Sequence, residues 1–119
     1  MSRAAIMMTT GLEDPERVTV ALLTAVAAAE GGRDVLTFLS KEAVRLATEG
    51  VAVGVACEKC PPIPDLMARY EAAGGELLVC PLCFEARALD ESGLVGNARL
   101  GGTVPFWEWI GEGATTFSF

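Results

Sequence analysis

Short apolar runs alternate along the chain with longer stretches that repeat at helical spacing. Ala4–Met8 is uninterruptedly apolar, the pattern of a strand buried on both faces. Asp14-Pro15-Glu16 opens a helix. Asp caps it, Pro takes the first helical position where an N–H is not needed, and Glu faces the positive end. The helix runs to about Ala29, and Gly31-Gly32 stops it. It is apolar almost all round, so it can meet a neighbouring subunit as well as the sheet. Asp34–Leu39 reads as a second strand. Ser40 is placed to cap a helix from Lys41 to Glu49, with Gly50 ending it.

Val51–Cys57 is ambiguous, because its valines favour a strand while Gly54 and the following prolines favour a loop. Cys60-Pro61-Pro62-Ile63-Pro64 is a break. Asp65–Ala73 reads as a helix stopped by Gly74-Gly75. Glu76–Cys80 is a strand, and Pro81–Leu89 a helix that begins at once after it. Thr103–Ile110 is a last helix and Ala114–Phe119 a last strand. Strands and helices in alternation, with very short turns, predict an α/β protein with a parallel sheet covered on both faces. The reading is one domain over 1–119, with no linker and no internal repeat.

Composition narrows the chemistry. The chain has 119 residues, half of them apolar, enough for a real core. Its net charge of −7 leaves no electrostatic footprint for nucleic acid. There is no histidine, which excludes Ser-His-Asp and Cys-His catalysis and any histidine metal site. No run approaches the roughly 20 apolar residues that span a bilayer, and Ala4–Met8 is too short for a signal-peptide core. The expectation is a cytoplasmic protein with no membrane contact, whose thiols are reduced at rest.

Chemistry then falls to four cysteines. Cys57-Glu58-Lys59-Cys60 and Cys80-Pro81-Leu82-Cys83 are two C-x-x-C pairs with nineteen residues between them. That spacing fits a four-cysteine zinc site on Cys57, Cys60, Cys80 and Cys83. Against it stand a spacer filled by a helix and a strand, the absence of a glycine after either pair, and a core able to fold without metal. The expectation is no cofactor, with zinc as the alternative.

Cys80 ends an apolar strand and opens a helix whose first position suits Pro81. Cys83 is then near the third helical position, so the two sulfurs can approach each other. Unpaired N–H groups and the helix dipole favour an anion there, which promotes a thiolate or a persulfide. The carboxyl end of a strand is also where open α/β sheets place their sites. The plain alternative is that these cysteines are small buried residues.

The order of segments resembles the DsrE/DsrF-like sulfur-relay family, particularly its small "predicted peroxiredoxin" branch. The resemblance rests on Gly11-Leu12-Glu13-Asp14-Pro15-Glu16, Gly32-Arg33-Asp34-Val35-Leu36-Thr37-Phe38-Leu39 and Glu42-Ala43-Val44-Arg45-Leu46-Ala47. It continues through Ala73-Gly74-Gly75-Glu76-Leu77-Leu78-Val79-Cys80 and Cys83-Phe84-Glu85-Ala86-Arg87. It implies a three-layer α/β/α sandwich with a mainly parallel sheet of about five strands, and assembly as a homotrimer or homohexamer. It further implies that sulfur is carried as a persulfide on Cys80 and passed between donor and acceptor proteins, with Cys83 as a second cysteine. Two departures stand out. Ala88 follows the arginine where glycine is frequent in the family, and Cys57 and Cys60 lie in a loop where relatives usually have none.

Other side chains are secondary candidates. Arg87 and Arg99 could hold an anion near Cys80, and Glu42 and Glu85 could handle protons. Phe106, Trp107 and Trp109 cannot all face one way, so at least one should meet a partner or cover the site. No phosphate loop or dinucleotide fingerprint is present. The functional expectation is a sulfurtransferase-like carrier using Cys80 and Cys83. The alternatives are a zinc-binding module or a non-catalytic small-ligand or regulatory protein.

Overall fold

The computed structural model describes residues 2–119. In chain order come β1 (Ala4–Met8), α1 (Pro15–Glu30), β2 (Val35–Leu39), a 3-10 segment (Lys41–Ala47) and α2 (Ile63–Ala72). Then follow β3 (Glu76–Val79), α3 (Pro81–Ala86), a 3-10 turn (Glu91–Gly93), β4 (Ala98–Leu100), α4 (Thr103–Ile110) and β5 (Thr115–Ser118). The strands form one sheet in the order β4-β3-β2-β1-β5, parallel throughout.

From β1 to β4 the chain steps across the sheet in one direction. It then returns through α4 to place β5 beside β1. Crossovers between parallel strands are right-handed, so reversing direction moves the connecting helix to the other face. Accordingly α1, α2 and Phe84 of α3 pack with Ile6, Met8 and Val79 in one core, while Phe106 of α4 packs with Ala5, Leu36, Phe38 and Leu78 in a second. This is the expected three-layer α/β/α arrangement, with a single eight-residue helix covering the second face.

Local chemistry explains the element ends. The Asp14 side chain accepts the Arg17 N–H at 3.1 Å, capping α1. α1 buries Val18, Ala21, Leu22, Ala25, Val26 and Ala29, one face at helical spacing. The outward Val20 and Leu23 remain 48% and 42% exposed.

α1, α2 and α3 end in the same way. In each, two N–H groups fold back onto the last carbonyls: Gly32 and Arg33 onto Ala29 and Ala28, Gly74 and Gly75 onto Glu71 and Tyr70, Ala88 and Leu89 onto Glu85 and Phe84. This motif needs a left-handed residue just past the helix, usually glycine. Gly32 and Gly74 supply it at φ 94° and 87°, whereas Ala88 supplies it at φ 52° against the steric preference of its Cβ.

Tyr70 is fully buried between α2 and the sheet. Its hydroxyl accepts from Thr37 Oγ1 at 3.0 Å and donates to the Glu76 carbonyl at 2.7 Å. Gly75 is required beside it, because a Cβ there would run into the Tyr70 ring.

Some details differ from the sequence reading, and the ambiguous Val51–Cys57 is resolved. The helix expected over Lys41–Glu49 is a 3-10 segment, and Ser40 makes no side-chain cap. Lys41 is left-handed at φ 52°, and the buried residues Ala43, Val44, Leu46 and Ala47 pair at a spacing of three, the 3-10 period. Val51–Cys57 is a chain of turns, with Gly50 and Gly54 both at φ 79°. α3 stops at Ala86, not Leu89. A strand not read from the sequence, β4 at Ala98–Leu100, pairs with β3 from Leu77↔Ala98 to Val79↔Leu100. No helix among the described residues is long and apolar enough to cross a membrane.

Candidate functional site

Cys80 is the first residue past β3. Its N–H donates to the Leu39 carbonyl at 2.9 Å, and on the other side the Gly101 N–H donates to the Val79 carbonyl at 2.9 Å. The register Leu39↔Val79↔Leu100 therefore sets Cys80 between Ser40 and Gly101 at the carboxyl edge of the sheet. Its own carbonyl accepts the Phe84 N–H at 3.0 Å, so Cys80 is the cap residue of α3, Pro81 the first helical residue and Cys83 the third.

Both cysteines are free thiols, neither fully buried nor fully exposed. Both pack against the larger core, and Cys80 also touches the smaller one under α4. The N–H groups of Leu82 and Cys83 have no acceptor within the helix. α3 is six residues long, so fewer aligned peptide dipoles back them than a helix to Leu89 would provide.

An ion network fixes this turn. Arg87 Nε donates to Glu42 Oε2 at 2.6 Å and Arg87 Nη1 to the Cys83 carbonyl at 3.1 Å. Arg45 Nε donates to the other Glu42 oxygen at 2.9 Å. Glu42 is thereby held below the usual carboxylate range, chiefly by the Arg87 hydrogen bond and then by that of Arg45. Held by both guanidinium groups, its carboxylate anchors the segment after β2 to this turn. Arg87 is committed to Glu42 and to the α3 backbone, and acts as a clamp on the turn.

The loop after β1 is pressed onto the same segment. A Cβ on Gly11 would lie 2.5 Å from the Glu42 carbonyl oxygen, and the Gly11 N–H donates to Glu13 Oε1 at 2.7 Å. Loops from β1, β2 and β3 thus meet around Glu42.

The remaining candidates scatter. Arg99 faces the other end of the sheet, paired with Glu76 Oε1 at 2.7 Å, and is not beside Cys80. Glu85 is exposed. Phe106 stacks on Phe38 with ring centroids 4.9 Å apart. Trp109 lies under the Arg3 guanidinium at 4.9 Å, and Trp107 projects outward, 69% exposed. Sequence reasoning missed Lys41, which follows Ser40 at this edge, exposed and left-handed. Its residue type carries no signal of that backbone.

The two cysteine pairs behave differently. Cys57 and Cys60 are joined in a disulfide with Cα atoms 5.1 Å apart, where reduced thiols were expected. Among the described residues no three cysteine, aspartate or glutamate side chains gather as a metal would require. The four-cysteine cluster that the spacing allowed is not assembled.

A family model described as the DsrE/DsrF-like family matches residues 2–119. The chain belongs to the DsrE/DsrF-like family. Solved structures share its fold at low identity. The ychN protein from E. coli superposes with a TM-score of 0.84 at 20% identity, over 100% of both chains. A protein of unknown function, MTH1491 from Methanobacterium thermoautotrophicum, gives 0.71 at 10% identity over 100% of both chains. The conserved protein of unknown function BT1422 from Bacteroides thetaiotaomicron gives 0.69 at 16%, over 99% of this chain and 95% of that one. Among curated proteins, a phosphoglucosamine mutase from Agrobacterium fabrum is 35% identical over 68 residues, 54% of this chain. The chain spans only 15% of that relative. Membership of the DsrE/DsrF-like family agrees with the five-stranded parallel sheet and its helical layers, and places Cys80 and Cys83 on a sulfur-relay-type fold.

Proposed function

We propose that this protein carries sulfane sulfur as a persulfide on Cys80 and hands it to a partner. The supporting observation is the pair of free, partly accessible thiols in the first turn of α3, at the carboxyl edge of the sheet, with first-turn N–H groups beside them. In loading, the Cys80 thiolate attacks the outer sulfur of a donor persulfide. The donor S–S bond breaks and the donor leaves as a thiolate. In delivery, an acceptor thiolate attacks the outer sulfur on Cys80 and restores the Cys80 thiolate. Alternatively, Cys83 attacks the inner sulfur, forms a Cys80–Cys83 disulfide and expels hydrosulfide. Loading takes its sulfur from the donor's persulfide, and in the second route two external thiols reduce the Cys80–Cys83 disulfide, leaving as their own disulfide. Donor and acceptor are proteins that present a cysteine at this edge.

The same reading includes a homo-oligomer, a trimer or hexamer. It is supported by the outward Trp107, by Val104 and Leu82, which are 67% and 79% exposed, and by a second sheet face covered by one short helix. Small domains gain buried apolar area by associating. Light scattering at micromolar concentration should give a multiple of the chain mass, and a single-chain mass overturns this part.

Intact-mass measurement after exposure to a small persulfide donor tests the carrier role. The wild type should gain one sulfur atom and Cys80→Ser none. Wild-type loading by Cys80→Ser, or loading confined to Cys57 or Cys60, sinks the assignment.

A further inference from the structure

The loop between the first 3-10 segment and α2 carries a second pair of sulfurs that the carrier reading does not use. We infer that Cys57 and Cys60 form a separate redox site, an exchangeable dithiol/disulfide couple whose substrate is an accessible thiol and whose attacked sulfur is Cys60.

The bridge does little to hold the fold. It closes only Cys57-Glu58-Lys59-Cys60, a turn already made by the Cys60 N–H donating to the Cys57 carbonyl at 3.0 Å. A ring this short removes little freedom from the unfolded chain. It is also not part of either core: Glu58, Lys59 and the nearby Val53 are exposed. The backbone at its centre opposes it. Lys59 sits at φ 61°, a conformation that a residue with a Cβ adopts at a cost. Opening the bridge lets Lys59 leave it. Cys57 and Cys60 are both partly exposed, and a solvent-accessible bridge across a strained turn belongs to the labile class of disulfides.

The two sulfurs have unlike surroundings, which sets the direction of attack. Cys57 Sγ lies 3.6 Å from Thr19 Oγ1, a residue buried in α1. Cys60 Sγ lies 3.5 Å from the Glu58 carbonyl oxygen, in an exposed setting. A substrate thiolate therefore reaches Cys60 from solvent. The new bond joins substrate sulfur to Cys60, the Cys57–Cys60 bond breaks, and Cys57 leaves as a thiolate beside Thr19. The Thr19 hydroxyl, now donating to the Pro15 carbonyl at 2.7 Å, can turn to that thiolate. A second substrate thiolate then attacks the substrate sulfur of the mixed disulfide. It releases substrate disulfide and the Cys60 thiolate. Two electrons pass from two substrate thiols to the pair, and their two protons end on Cys57 and Cys60. The reverse sequence reduces a substrate disulfide.

The test uses the folded chain with Cys80→Ser and Cys83→Ser, so its result is independent of persulfide carrying. It is equilibrated in glutathione buffers from fully reduced to fully oxidised, and separately with dithiothreitol. It is then acid-quenched, alkylated and mapped by mass. The pair should interconvert as one two-electron unit in the folded protein. Response to glutathione identifies monothiols as sufficient, and response to dithiothreitol alone narrows the substrate to dithiols. With glutathione disulfide, Cys57→Ser should accumulate a mixed disulfide on Cys60 about tenfold faster than Cys60→Ser does on Cys57. A bridge that opens only on unfolding, or a pair that stays reduced in fully oxidised glutathione, overturns the couple. Equal rates in the two single variants overturn Cys60 as the attacked sulfur.

Discussion

Arg87 is bonded to Glu42 at 2.6 Å, and through the same guanidinium to the carbonyl of Cys83. One side chain thus ties the end of β2 to the cysteine turn that follows β3. Because Arg87 depresses the Glu42 pKa, with Arg45 second, the link depends on pH with a definite sign. A carboxylate whose folded pKa is lowered stabilises above its unfolded value, and the effect is lost as pH falls through the folded one. The wild type should therefore lose more thermal stability between neutral and acid pH than Glu42→Gln. Parallel melting curves over that range check it. The lowered Glu30, bonded to Arg69, is common to both proteins and cancels. Equal losses would remove Glu42 from the account.

Ala88→Gly should stabilise. The residue occupies the left-handed position past α3 that Gly32 and Gly74 fill after α1 and α2. Relieving a left-handed Cβ, less the extra chain entropy of glycine, should contribute about 0.5–1 kcal/mol. Urea unfolding, read as a shifted midpoint at constant slope, measures it.

Gly11→Ala should destabilise by about 1–3 kcal/mol, since its Cβ meets the Glu42 carbonyl oxygen at 2.5 Å and backbone must move. The same displacement disturbs the Glu42–Arg87 contact, so alkylation of Cys80 and Cys83 should change rate in this variant. An unchanged rate would separate Gly11 from the cysteine turn.

Tyr70→Phe should cost about 1–3 kcal/mol, because it strips buried partners from Thr37 and the Glu76 carbonyl. Burial is the largest cause pushing the Tyr70 phenol up. A phenol raised in the folded state stabilises below its unfolded pKa, and that stability is lost as pH rises through the alkaline range. Stability of Tyr70→Phe should accordingly fall less steeply there. Denaturation midpoints at neutral and alkaline pH compare the two.

Cys83→Ser should still take up sulfur on Cys80 and hold it longer, because the proposed Cys83 route to hydrosulfide is removed. Time-resolved intact mass after donor removal gives the persulfide lifetime. A shortened lifetime would mean that Cys83 protects the persulfide and does not attack it.

Much of this arrangement was legible wherever short-range chemistry decides. Asp14, Pro15 and the glycine pairs at 31–32 and 74–75 carry their own start and stop signals. Pro81 after an apolar strand placed Cys80 at a strand-to-helix turn. The misses depend on partners distant in sequence or on backbone that residue type does not announce. Ala98–Leu100 is a strand only because β3 offers it a ladder. Without that ladder Arg99 could not be assigned to Glu76 and away from Cys80. Lys41, Lys59 and Ala88 adopt left-handed backbone that their types disfavour, and each sits where a predicted boundary or role shifted.

The strand order has a consequence for synthesis. β5 is made last yet lies against β1, made first, with the Thr9 N–H bonded to the Phe119 carbonyl and the Phe119 N–H to that of Met7. While a nascent chain still lacks residues 115–119, the outer edge of β1 presents unpaired peptide groups. Both cores are built on β1 to β3 and the helices, with Phe119 only packed against the larger one. Until β5 docks, a folding chain therefore holds one open ladder beside β1, at which a second copy could pair instead.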